Sequence, residues 1–303
     1  DQYEAISKEI EAKEEELVAL DVIKEKERLE LIERAKYQEE FVQLSKDITD
    51  KRKAFIDDNV TDDKKDTSLI NNINLVSSKE KKIYQHICKL LSFPVYVGVK
   101  NNQIVTIDLT DNHSYPRGLT NNLPTTQMLE LWRNVSQLRY LKKINARFNG
   151  LSFLPDFSSL THLEKLDLRG NPYLDFNELS TAKALLSLNI SACSLTELPN
   201  SINSLHNLKS LLAYKNHITD LSNIKFPKSI ERISLYRNQI SSKTLELSHC
   251  GKLQEINLGA NPIATMTLKI SPALPTLQLR ARYIKSAITI SGSENTAFCI
   301  CEY

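Results

Sequence analysis

The sequence predicts a solenoid of the α/β class, a curved sheet of parallel strands, preceded by an α-helical arm. Two observations carry that prediction. One apolar pattern returns eight times, at nearly constant spacing, over residues 104–284. Residues 1–56, by contrast, contain neither Gly nor Pro and set their apolar residues at helical spacing. The first proline is Pro94 and the first glycine Gly98, so the two regions differ in their backbone chemistry as well as in period.

The arm comes first. Tyr3, Ile6, Ile10, Lys13, Leu17 and Leu20 follow 3-4 spacing, as do Tyr37, Phe41, Leu44, Ile48, Lys51 and Phe55. These are heptad seams. Between Leu20 and Tyr37 the phase slips, which fits either a stutter between two coiled-coil blocks or a chain that turns back as a helical hairpin. Residues 57–77 follow as a linker, polar and charged over DDNVTDDKKDTS and expected to be solvated.

Residues 78–103 are expected to cap the solenoid, because an open parallel edge exposes both core and strand backbone. SSKEKKIYQHICKLL has the period of an amphipathic helix, with Ser77 and Glu80 spaced as a capping box. Ile83, Ile87, Leu90 and Leu91 form its apolar face. VYVGVKNNQIVTIDL then alternates as a hairpin around Asn101 and Asn102, leading into the first repeat.

The repeats begin at Ile104, Leu141, Leu163, Leu185, Leu208, Ile230, Leu253 and Leu274. They read IVTIDLTDN, LKKINARFN, LEKLDLRGN, LLSLNISAC, LKSLLAYKN, IERISLYRN, LQEINLGAN and LPTLQLRAR. After a first gap of 37, the steps are 22, 22, 23, 22, 23 and 21. Given the overall composition, three required apolar positions fill by chance about 7% of the time. Eight matches nearly in phase are not chance. The long first gap holds an insertion in which Met128, Leu131, Val135 and Leu138 recur at helical spacing, with Trp132, the sole tryptophan, among them. A buried anchor and a binding hot spot are both open to Trp132. Residues 285–303, SAITISGSENTAFCICEY from Ser286 onward, alternate again and are expected to close the solenoid as a capping hairpin, since Arg282 stands where the pattern calls for Asn. Cys299 and Cys301 then fall on one face of an edge strand.

The pattern LxxLxLxxNxL resembles the leucine-rich-repeat family, and LTELPNSINSLHNLKSLLAYKN at residues 195–216 is similar to its full-length form. The resemblance covers residues 104 to about 284. It implies a horseshoe in which the LxL side chains point inward. The closing Asn112, Asn149, Asn171, Asn216, Asn238 and Asn261 would turn the chain and satisfy buried backbone groups, with Cys193 as an allowed substitute. The repeat style is also similar to that of intracellular bacterial members, including effectors injected into host cells. That likeness implies a module that inhibits or recruits a partner enzyme, in the bacterial or the host cytoplasm.

Composition bounds the function. Net charge is +2, with no whole-chain pull toward nucleic acid or membrane, and no apolar run reaches the length of a bilayer span. Five scattered cysteines, with no disulfide-rich cap, fit a reducing compartment. The chain opens on Asp1 rather than Met, as expected of a processed or truncated product. No His, Cys or carboxylate set has metal-ligand spacing, and no Gly-rich phosphate loop occurs, so neither a cofactor nor an active site is expected. The outward strand positions remain. One row carries Lys143, Lys165 and Arg232; the next is mostly small, polar or acidic, with Asp108, Asn145, Asp167, Asn189, Ser234, Asn257 and Gln278. The third carries Arg147, Arg169, Tyr214, Tyr236 and Arg280, with Phe148, Lys215 and Arg237 beside it. Arg and Tyr concentrated on one rigid strip are what protein hot spots are made of. The expected partner is a protein with an acidic contact surface; self-association through residues 1–56 is the alternative.

Overall fold

The computed structural model describes residue 73 and residues 76–91, 95–110, 124–282, 288–292 and 297–301. The helical arm expected over residues 1–56 and nearly all of the linker lie outside these described residues.

Helix α1 (Ser78–Leu91) buries Ile83, Ile87 and Leu91 and leaves Leu90 half-buried. The capping box forms only in part. Ser77 Oγ accepts from the Glu80 backbone N–H at 3.3 Å, but the Glu80 carboxylate turns to the Ile104 N–H at 2.8 Å. The Ser77 N–H donates instead to the Asn102 carbonyl. The buried glutamate thus ties the cap helix to the second strand rather than to its own N-terminus. Strands β1 (Tyr96–Lys100) and β2 (Gln103–Asp108) pair antiparallel, turning at Asn101 and Asn102, with φ of 51° and 60°. Two successive positive φ angles make the turn whose twist matches a hairpin. Helix α2 (Thr125–Val135) packs against α1 and buries Met128, Leu131, Trp132 and Val135. Trp132 is an interior anchor, only 2% exposed.

From β2 the chain winds a coil of short parallel strands: β3 (Lys143–Asn145), β4 (Lys165–Asp167), β5 (Ser187–Asn189), β6 (Ser210–Leu212) and β7 (Arg232–Ser234). The same sheet continues through β9 (Glu255–Asn257), β11 (Thr276–Arg280) and β13 (Ala297–Cys301). On β4, β5, β6, β7 and β9 the two LxL positions are sealed, as with Leu166 and Leu168 or Leu211 and Ala213, while the residue between them stays half-buried; on β3 that residue, Asn145, is itself buried. Each sealed Leu or Ile contributes about 1.5–3 kcal/mol, and no single turn can bury that surface without its neighbours.

The returning side of the coil changes along its length. Short 3-10 helices, Asn177–Thr181 and Asn200–Ser204, follow β4 and β5. Farther on, β8 (Thr244–Leu247), β10 (Met266–Ile270) and β12 (Ile288–Ser291) form a second parallel sheet, in the order β12-β10-β8. This overturns the closing hairpin expected over residues 285–303. Strands β12 and β13 do not pair with each other; each pairs in parallel with the preceding turn. Alternation sets which side chains face inward, but it does not distinguish a hairpin from one more turn. The coil therefore runs past Arg282.

The register of β11 brings a second correction. Gln278 pairs with Glu255 and Arg280 with Asn257, so this turn is stepped by 23 residues rather than the 21 read from its leucines. A slip of two keeps every side chain on its face and moves it by one row.

Candidate functional site

The parallel register lines up the outward side chains turn by turn. The first row is Thr106, Lys143, Lys165, Ser187, Ser210, Arg232, Glu255 and Gln278. The second is Asp108, Asn145, Asp167, Asn189, Leu212, Ser234, Asn257 and Arg280. The third is fixed by a repeated backbone bond. Carbonyls of Arg169, Ser191, Tyr214, Tyr236, Gly259 and Arg282 accept N–H groups from the preceding turn at 2.7–3.0 Å. Arg280 thus belongs to the second row and Arg282 to the third. Phe148, Lys215 and Arg237 sit one residue past the third row, at φ near +57°, where the chain turns off the sheet.

Most of the second row serves the backbone. The side-chain oxygens of Asp108, Asn145, Asp167, Asn189 and Asn257 each accept the N–H two residues on, at 2.9–3.4 Å. Such turns stop a strand and favour Asn and Asp for their short acceptors. Within this row Asn145 Nδ2 donates to Asp108 at 2.9 Å, and Arg147 Nε donates to Asn145 Oδ1 at 2.9 Å, lying 3.7 Å from Asp167 Oδ2. Burial raises the Asp167 carboxyl above its ordinary value, against the opposing pull of the Arg169 N–H, Arg147 and Asn189.

The third row is built differently. The Arg169 guanidinium carbon lies 5.3 Å from the centroid of the Phe148 ring and 5.4 Å from that of Tyr214. Flanked by two rings, the cation is held in place by their quadrupoles. Ser191, between Arg169 and Tyr214 in the row, is fully buried beneath them. Gly170 makes room for the stack: a Cβ there would lie 2.0 Å from Phe148 Cδ1. Of the first row, Lys143, Lys165 and Arg232 are exposed and make no ion pair among the described residues. Arg280 is neutralised by Glu255 at 2.7 Å.

Leu212 is the residue the sequence reading passed over. It holds a second-row place between Asn189 and Ser234, half-buried and outside the core cluster, while Leu211 and Ala213 are sealed on either side. In LKSLLAYKN it reads as one more core leucine. The signal was its position, where the other turns carry polar residues or, in β11, an arginine.

Under the sheet runs a buried line of asparagines. Asn171 Oδ1 accepts from Asn149 and Leu151 N–H at 3.1 and 3.0 Å, and its Nδ2 donates to the Ala146 and Leu168 carbonyls. Asn216 does the same with Cys193 and Leu195 N–H and the Ile190 and Ala213 carbonyls. Asn238 and Asn261 bridge the following turns. Cys193 fills one place with its thiol toward the Leu168 carbonyl.

A parallel strand on every turn, sealed LxL pairs and this asparagine line together decide the family. The chain is a leucine-rich-repeat protein. No model of a known protein family matches the chain. It is similar to the disease resistance protein RML1A of Arabidopsis thaliana, 27% identical over 73% of this chain and 24% of that protein. It is also similar to an Arabidopsis thaliana homolog of the protein phosphatase 1 regulatory inhibitor subunit PPP1R7, 27% identical over 57% of this chain and 55% of that one. This leucine-rich-repeat chain thus spans about a quarter to about half of the length of these curated relatives. Among solved structures, a leucine-rich-repeat protein of Leptospira interrogans aligns with a TM-score of 0.40 and 25% identity, over 52% of this chain and 40% of that one.

The remaining chemistry of the leucine-rich-repeat coil is structural. Burial pushes the Cys193 and Cys250 thiols up to about 12, well away from thiolate reactivity at neutral pH. His249, next to Cys250, donates through Nε2 to the Phe226 carbonyl at 2.7 Å. Among the described residues no three His, Cys, Asp or Glu side chains gather as a metal site, and no helix is long and apolar enough to cross a membrane.

Proposed function

We propose that this leucine-rich-repeat protein binds a partner protein along the outward strand face, and that the partner's contact surface is acidic. The observation that carries this is the distribution of charge on one rigid sheet. Lys143, Lys165 and Arg232 stand exposed without acidic partners, while Asp108, Asp167 and Glu255 are engaged within the sheet. Arg169, held between Phe148 and Tyr214, adds a cation already ordered before any partner arrives. Unpaired cations on a fixed scaffold speed association with a carboxylate-bearing surface and set its register, and pre-ordered Arg and Tyr side chains lose little entropy on contact. The name of the Arabidopsis inhibitor-subunit homolog supports a role in covering or recruiting another enzyme.

The test is capture of partners from source-cell extract by wild type and by two variants, Lys143→Glu/Lys165→Glu/Arg232→Glu and Tyr214→Ala/Tyr236→Ala/Arg237→Ala. Both variants should keep the wild-type circular dichroism spectrum and lose the captured proteins, and wild-type capture should weaken with added salt. Capture that survives both variants removes this face from consideration.

A further inference from the structure

The strip is uneven, and its unevenness indicates what it holds. In the first row two serines, Ser187 and Ser210, lie between Lys165 and Arg232. In the second row Leu212 lies between Asn189 and Ser234. These short neighbours leave Leu212 as the one large apolar side chain on a floor of small polar ones. The floor is bounded along the third row by the Arg169–Tyr214 stack and by Tyr236. An outward leucine gains nothing from the core, whose cluster it does not join.

Resting on the outward-face reading above, we propose that Leu212 is the apolar centre of the contact. The partner supplies an acidic segment with one aliphatic or aromatic side chain, which seats on Leu212 between Tyr214 and Tyr236 while flanking carboxylates meet Lys165 and Arg232. Strand spacing fixes the geometry. Leu212 on β6 lies two strands from Lys165 and one from Arg232, so about 10 Å and about 5 Å across the sheet. Residues two apart in an extended segment are separated by about 7 Å, and the long Lys and Arg stems span the difference. Carboxylates within two residues on either side of the anchor therefore fit. Ser187, Ser210 and Ser234 offer hydroxyls to the segment's backbone. The arrangement, an apolar anchor ringed by aromatic and cationic side chains that exclude water, is how a few residues come to dominate an interface.

The test uses the full chain and three labelled peptides read by fluorescence anisotropy. The first is Asp- and Glu-rich with a central Leu, the second has Ser at the centre, and the third keeps Leu but carries Asn and Gln for the acids. Wild type should bind the first about tenfold more tightly than the second. Leu212→Ser should bring that ratio to about one, and Leu212→Met should preserve it; thermal melting confirms that both variants are folded. A wild-type ratio of one, a ratio that persists in Leu212→Ser, or no binding of any peptide overturns the anchor. If the first two peptides bind equally and both beat the third, the acidic-partner reading stands and only the anchor falls. If the third binds as well as the first and Leu212→Ser weakens both, the anchor stands and the acidic partner falls.

Discussion

Two lines of polar residues run the length of this solenoid, a few ångströms apart, and they do opposite things. The inner line, Asn149, Asn171, Asn216, Asn238 and Asn261, is sealed from water and bridges adjacent turns. The outer third row, Arg169, Ser191, Tyr214, Tyr236, Gly259 and Arg282, repeats the same backbone bond while its side chains change from turn to turn. Where the fold needs a particular chemistry the residue hardly varies, with Cys193 the single departure from Asn149 to Asn261 among the described residues. Where the backbone is satisfied without the side chain, identity is free to serve recognition. Uniformity marks support, and variety on a uniform backbone marks a binding surface.

Replacing one member of the inner line should produce the largest effect. Asn216→Ala strips partners from the Cys193 and Leu195 N–H groups and from the Ile190 carbonyl, while the Ala213 carbonyl keeps only its bond from Asn238. Each buried group left unpaired costs about 1–3 kcal/mol, and partial relaxation brings the total to on the order of 4 kcal/mol. Urea unfolding should show that loss, while the acidic, leucine-centred peptide binds the remaining folded protein unchanged. An affinity loss in the folded protein would show that the two lines are coupled and break the comparison.

A smaller effect is expected at Gly170, where the two lines touch. Its φ of +74° and the Phe148 ring lying across it both exclude a Cβ. Gly170→Ala should lose about 1–2 kcal/mol from the left-handed backbone alone, and the ring must swing away from Arg169. If the Phe148–Arg169–Tyr214 stack is pre-ordered for binding, peptide affinity drops severalfold beyond what stability explains. Lowered stability with full affinity would place the stack in the supporting class.

How much of this was legible follows from what a period can and cannot encode. The interior of each strand was readable because Leu163, Leu166 and Leu168, with their equivalents, leave only one phase. The last turns were not. Leu277, Leu279 and Ala281 alternate evenly, so steps of 21 and 23 both bury apolar residues, and pairing with Glu255–Asn257 decides between them. The same degeneracy made Ile288–Ser291 and Ala297–Cys301 look like a hairpin. In the strip, cations could be assigned to rows from the pattern, but not the duties of the second row. That Asp167 and Asn189 close turns, while Leu212 does not, depends on which backbone N–H each side chain meets. Leucine in a leucine-rich motif carries no mark of facing outward.

The smallest effect should come from Asp167, which belongs to both classes. It closes its turn through the Arg169 N–H and also lies near Arg147 on the strip. Burial raises its carboxyl above the ordinary 3.8 in the folded chain. Below that value folded and unfolded chains are both protonated and the group is neutral in its effect. As pH climbs past it the unfolded chain ionises first, and the folded state loses stability until its own raised value is passed. Asn accepts the same N–H in the neighbouring turns, at Asn145 and Asn189. Asp167→Asn should therefore melt slightly higher than wild type at neutral pH, with the gain disappearing below the ordinary carboxylate value. Removing an acid from a cationic strip should also tighten the acidic peptide modestly. A lower melting temperature at neutral pH would mean that attraction to Arg147 outweighs burial, and would move Asp167 from the supporting line to an ion pair of the strip itself.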